Sequence, residues 1–104
     1  MIHTLKCDPD IFQKIWNKEQ TFELRLNDRN YKVGDEIISH ETTHTGEEME
    51  HGMKLEYTGR YICSKIVGIL QRNHFSKDRF DNWVIISIQI MKMGVEESNE
   101  LQSG

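Results

Sequence analysis

A chain of 104 residues has room for one domain built around one modest core. Hydrophobic residues make up 37% and charged residues 29%, so part of the chain is expected to stay outside that core, and a net charge of −4 excludes a uniformly basic nucleic-acid binder while allowing a local basic patch. No apolar run approaches the ~20 residues of a membrane span and the first residues lack a signal-peptide pattern, so a cytoplasmic protein without membrane contact is expected.

In chain order, Ile2-His3-Thr4-Leu5-Lys6 reads as a short strand with Ile2, Thr4 and Lys6 on one side. Asp8-Pro9 is a helix-start signature, with Asp8 as cap and Pro9 at the first helical position. Ile11, Phe12, Ile15 and Trp16 follow at one-face spacing, which predicts a helix over 9–18 with Trp16 in the core. A strand is expected over 20–26, where Phe22, Leu24 and Leu26 alternate with Thr21, Glu23 and Arg25. The carboxylate and the guanidinium thus share a strand face roughly 7 Å apart, either as an exposed ion pair or as part of a polar site. A turn over 27–34 leads to a third strand over 35–40.

Residues 41–54 carry two Gly, four Glu, two His and three Thr, and are expected to form a solvated loop inserted in the domain, or a loosely ordered hairpin tip. A long strand over 55–70, bent or bulged at a glycine, is followed by a charged connection over 71–82 and a β-branched strand over 83–91. The domain is therefore placed at 1–92 and a flexible polar tail at 93–104. Five strands and one early helix favour a mixed α+β, mainly β fold: a small barrel or half-barrel plugged by that helix.

His40-Glu41-Thr42-Thr43-His44 matches the zinc-peptidase pattern in spelling, but that chemistry needs both histidines on adjacent turns of one helix. Here an apolar strand precedes the match and Gly46 cuts it short, so no metal is assigned. Cys7 and Cys63 lack metal spacing and read as reduced structural thiols. Tyr57 and Trp83, at strand starts, are open candidates for stacking a base. No nucleophile with a nearby base, phosphate-cradling loop or dinucleotide fingerprint is visible, so neither catalysis nor a cofactor is assigned.

Several motifs occur in a fixed order: Thr21-Phe22-Glu23-Leu24-Arg25, Asn27-Asp28-Arg29-x-Tyr31-x-Val33-Gly34-Asp35, Tyr57-Thr58-Gly59-Arg60 and Trp83-Val84-Ile85-Ile86-Ser87-Ile88. Together with His3-x-Leu5-Lys6 and Pro9-x-x-Phe12 they resemble domain-of-unknown-function family 3850, common in phage and bacteria, in the ASCH group of the PUA-like superfamily. The resemblance implies a PUA-like barrel of about five strands and a non-enzymatic RNA- or nucleotide-binding module. The implied binding residues are Glu23, Arg25, Asn27, Asp28, Arg29 and Arg60. Arginines suit phosphates or base edges, and an acidic side chain suits an exocyclic amine.

The chain departs from the family pattern at Asn17-Lys18-Glu19-Gln20 and at Leu26, where lysines are usual. Gln20 and Glu23 also replace the Lys and Thr of related amidohydrolases that act on acetylcytidine, so that mechanism does not carry over. Two rival readings are an enzyme on a modified nucleoside with Glu23 as general base, and a protein-interaction module suggested by the acidic loop.

Overall fold

The computed structural model describes residues 1–71 and 82–96. Five strands form one curled sheet, a half-barrel: β1 (Ile2–Cys7), β2 (Phe22–Leu26), β3 (Glu36–Thr42), β4 (Tyr57–Gln71) and β5 (Trp83–Val95). Their spatial order is β1-β3-β4-β5-β2, with β1 parallel to β3 and every other pair antiparallel. β1 and β2 are thus the two edges.

The helix α1 (Pro9–Trp16) places Phe12 and Ile15 in the core, against the concave face. It is shorter than the expected 9–18 because Asn17 closes it and Lys18 takes a left-handed φ of 62°. Asp8 is the cap residue, yet its carboxylate does not cap α1; it accepts from Gly46 N at 3.1 Å. Gly46 opens a second helix, α2 (Gly46–Glu50), within the segment expected as a solvated loop or hairpin tip. The missed signal is a capping box: Thr45 accepts from Glu48 N, and Glu48 Oε1 accepts from Thr45 N.

β3 runs on through Glu41 and Thr42, and β5 continues through Gly94 to Val95, where the sequence suggests the start of a tail. The expected glycine bulge in β4 lies at Val67-Gly68, where the ladder shifts by one residue against β5. The expected charged connection and most of the expected tail lie outside the described residues.

β2 overturns a natural reading of its pattern. Phe22, Leu24 and Leu26 face outward and are 52%, 54% and 41% exposed, whereas Glu23 faces inward at 3%. Opposed residues of an antiparallel pair share a face. Glu23 stands opposite Ile86 and Arg25 opposite Val84, both fully buried, so the charged side belongs to the concave face.

Two polar clusters fasten the sheet. In the first, Arg60 grips Glu41 with two hydrogen bonds of 2.8 Å, while Thr58 donates to the same carboxylate at 2.7 Å. The guanidinium also lies over the Trp16 ring at 4.7 Å and reaches Gln13, tying β3 and β4 to α1. Hydrogen bonding from Arg60 holds the Glu41 carboxyl below the usual range, against the opposing effect of burial. In the second, Asp35 accepts from Lys32 N and meets buried His3 Nε2 at 2.8 Å, with the N-terminal ammonium at 3.5 Å. Its pKa is lowered, first by the His3 contact. This cluster fixes the β2–β3 turn against β1.

Two outcomes are expected. Arg60→Ala leaves Glu41 buried with Thr58 alone and lowers unfolding free energy by about 3 kcal/mol in urea titration; Glu41→Gln, which keeps the shape, costs less. Both lowered carboxylates bind protons more readily once unfolded, so stability is full above about pH 5 and declines as pH falls through their folded pKa values, beginning near pH 4. Thermal melts of Asp35→Asn show a shallower acid decline than the parent chain.

Candidate functional site

The two edge strands face each other across an open seam. A cleft of about 590 Å³ occupies it, walled by Lys6 and Cys7 of β1, Ile11 of α1, the whole of β2 and Trp83 of β5. A smaller hollow of about 160 Å³ adjoins it, lined by Leu5, Lys6, Arg25, Leu26, Asp28, Arg29 and Tyr31. Lys6, Arg25 and Leu26 belong to both, so the hollows form one continuous groove along β2.

Glu23 and Arg25 form its charged wall. Arg25 donates to Glu23 Oε1 from Nε at 3.0 Å and lies 2.8 Å from the same oxygen through Nη2. Both donors converge on one carboxylate oxygen. Glu23 Oε2 is buried and has no hydrogen-bond partner, one of two such side-chain atoms among the described residues. A buried carboxylate oxygen without a donor costs about 1–3 kcal/mol or more. An N–H donor would offset that cost.

The electrostatics run along the same wall. Burial works most strongly against the Arg25 charge, but the charge and hydrogen bond of Glu23, with Cys7 and Tyr31, together raise the guanidinium above its ordinary value. Burial, reinforced by the Glu23 carboxylate, pushes the Cys7 thiol up to about 12. At neutral pH Cys7 is therefore a protonated, non-nucleophilic wall residue. Tyr31 is raised as well, first by burial. Cys63 points to the opposite face of the sheet from Cys7, so the two thiols have no route to a disulfide.

Of the residues singled out in the sequence, Glu23, Arg25, Asp28 and Arg29 line the seam. Arg29 reaches across it, its Nη1 lying 3.5 Å from Thr4 O on β1. Asn27 serves the turn instead: its side chain accepts from Tyr31 N and its amide donates to Asn82 O. Arg60 lines neither hollow and is engaged in the Glu41 clamp. Trp83 does line the cleft, Tyr57 is exposed on the outer face, and Trp16 stacks on Phe12 at 5.8 Å. Sequence reasoning missed Lys6, Cys7 and Tyr31, because nothing in the local pattern of β1 says that it will face β2 across a gap.

The zinc-peptidase spelling is dismantled by the fold. His40 and Glu41 lie on β3 with side chains on opposite faces, and Glu41 is consumed by Arg60. His44 lies beyond the strand, against Lys54 O. Among the described residues no group of three His, Cys, Asp or Glu side chains is placed to hold a metal ion. No described helix is long and apolar enough to cross a membrane.

A search of curated proteins finds no match. The protein-family model for a domain of unknown function, DUF3850, matches residues 2–88, which include all five strands up to the middle of β5 and both walls of the seam. The chain belongs to the DUF3850 family.

Proposed function

We propose that the protein is a PUA-like, ASCH-type binding module, without catalysis, whose seam between β1 and β2 holds a nucleotide or an RNA base. The observation that carries this reading is that Glu23, a residue of the cleft wall, keeps a buried Oε2 without a hydrogen-bond partner. An exocyclic amine or ring N–H satisfies such an acceptor, as acidic side chains do with cytosine. Arg25, Arg29 and Lys6 gather positive charge along the same groove, where a phosphate attached to that base finds partners. Trp83, at the cleft edge, offers a ring for the base plane.

The lysines missing at Gln20 and Leu26 bear on affinity. Gln20 Nε2 donates to Phe22 O, so it braces the entry of β2 and adds no charge. Binding is therefore expected to rest on the base edge and on a small number of phosphate contacts, with a shallow salt dependence. The acidic segment offers less to a protein partner than its spelling suggests, since Glu41 is locked to Arg60 and Glu48 closes a capping box.

Calorimetric titration with the four ribonucleoside monophosphates tests the reading. Glu23→Gln, which keeps the shape but replaces one acceptor with a donor, weakens the preferred nucleotide by about tenfold or more. Arg29→Ala, at an exposed position, weakens nucleotides but not the matching nucleosides. Unchanged affinity in both variants sinks the site. Chromatographic assay of acylated nucleosides separates binding from catalysis. Turnover that disappears in Glu23→Gln replaces the module with an enzyme using Glu23 as general base.

A further inference from the structure

The convex face of the sheet carries a second constellation, which shares Lys6 with the seam. Strand register sets its rows. Lys6, His40, Tyr61 and Gly94 lie side by side across β1, β3, β4 and β5. The next row holds Thr4, Ile38, Cys63 and Lys92, and the third holds Ile2, Glu36, Lys65 and Gln89. Lys6, Lys65 and Lys92 are all exposed, and Glu36 is the single strand-borne acid among these rows, opposite Lys65. In a chain with net charge −4, this is a locally cationic surface.

Its aromatic part is shaped. Tyr61 lies across Gly94: a Cβ at that glycine would sit 2.6 Å from the phenol oxygen and 2.8 Å from Cζ. The absent side chain lets the ring lie along the sheet instead of standing off it. His40 sits beside this ring at 6.4 Å and meets Tyr57 edge-on at 6.0 Å, with Tyr57 52% exposed. The Lys92 ammonium is 6.0 Å from the Tyr61 ring centre. Half-buried Tyr61 and exposed Tyr57, on a face that no described element covers and bordered by lysines, make a stacking platform for bases with phosphate partners alongside.

We propose that this outer face binds single-stranded nucleic acid, stacking bases on Tyr61 and Tyr57 and drawing the backbone to Lys92, Lys65 and Lys6. Apolar ligands leave the lysines unused and acidic peptides leave the rings unused; a single strand uses both. Lys6 also walls the seam, so the platform and the groove meet at β1. The face shares Lys6 with the seam but not Glu23 or Arg25, so variants at Tyr61, Gly94 and Lys92 test it apart from the seam.

Fluorescence anisotropy with a labelled RNA of about ten nucleotides tests it, beside calorimetry with the mononucleotides. Tyr61→Leu and Gly94→Ala each weaken the oligonucleotide by about tenfold, while Tyr61→Phe, which keeps the ring, binds as the parent does. Lys92→Ala lowers the slope of log affinity against log salt by roughly 0.7. Thermal melts confirm folding; should Gly94→Ala not fold, the Tyr61→Leu and Tyr61→Phe pair decides. Mononucleotide binding unaffected by Tyr61→Leu is expected. Oligonucleotide binding retained in Glu23→Gln supports the face, even if mononucleotides fail to bind the seam. No oligonucleotide binding, affinity indifferent to Tyr61→Leu, or heparin binding of equal strength that ignores Tyr61 each overturns it.

Discussion

Across the β2–β5 ladder, Glu23 stands opposite Ile86 and Arg25 opposite Val84, and this register drives a carboxylate and a guanidinium into the concave side of the sheet. A shift of one residue would reverse it, turning Phe22, Leu24 and Leu26 inward and the charges outward. Hydrophobic burial alone favours the shifted form, since each such side chain gains about 1.5–3 kcal/mol when fully buried. The observed register is held from both ends. Ile88 N donates to Thr21 O at 2.9 Å, Asn27 N donates to Asn82 O at 2.7 Å, and Asn27 in turn fastens Tyr31 N. The chain gives up apolar burial on β2 to keep an ion pair inside.

The register leaves the groove with a polarised wall. Two charges removed from water need close pairing and further hydrogen bonds to offset desolvation. Here the pairing is close but incomplete, because both Arg25 donors meet Glu23 Oε1 and none meets Oε2. The Glu41–Arg60 pair shows the contrast on the same concave face. There each carboxylate oxygen has its own guanidinium donor, Thr58 adds another, and aromatic rings cover the cation. One pair is saturated and closes the sheet onto α1; the other keeps an acceptor free where β1 and β2 fail to meet.

The sequence makes the strands and α1 legible because their periods are clean: alternation in β2 and in much of β5, and one-face spacing over Ile11 to Trp16. It leaves the faces of β2 unassigned, since alternation reveals two sides but not which one the partner strand covers. It hides α2, whose five residues contribute no apolar stripe and whose signature is the Thr45–Glu48 cap. The site is half legible for the same reason. Glu23, Arg25 and Arg29 stand out as charges on one strand and its turn, whereas Lys6, Cys7 and Tyr31 join them only through the fold. Arg60 looks like a further ligand because residue type is visible in a sequence and prior commitment to Glu41 is not.

The outer face is divided in its chemistry. Near β2 it is apolar, where Leu24, Ile85 and Leu70 lie in one row across β2, β5 and β4. Toward β1 it is aromatic and cationic, from Tyr61 over Gly94 to Lys6 at the lip of the seam. A uniformly solvated face would mix both signs and scatter its aromatics. Charge sorting of this kind changes the meaning of a negative net charge. Repulsion of a polyanion by the whole molecule weakens over a Debye length of roughly 8–10 Å in physiological salt, while contacts to Lys6, Lys65 and Lys92 act within it. An acidic protein can therefore bind a polyanion, provided that its lysines are gathered on one face beside rings that hold the bases.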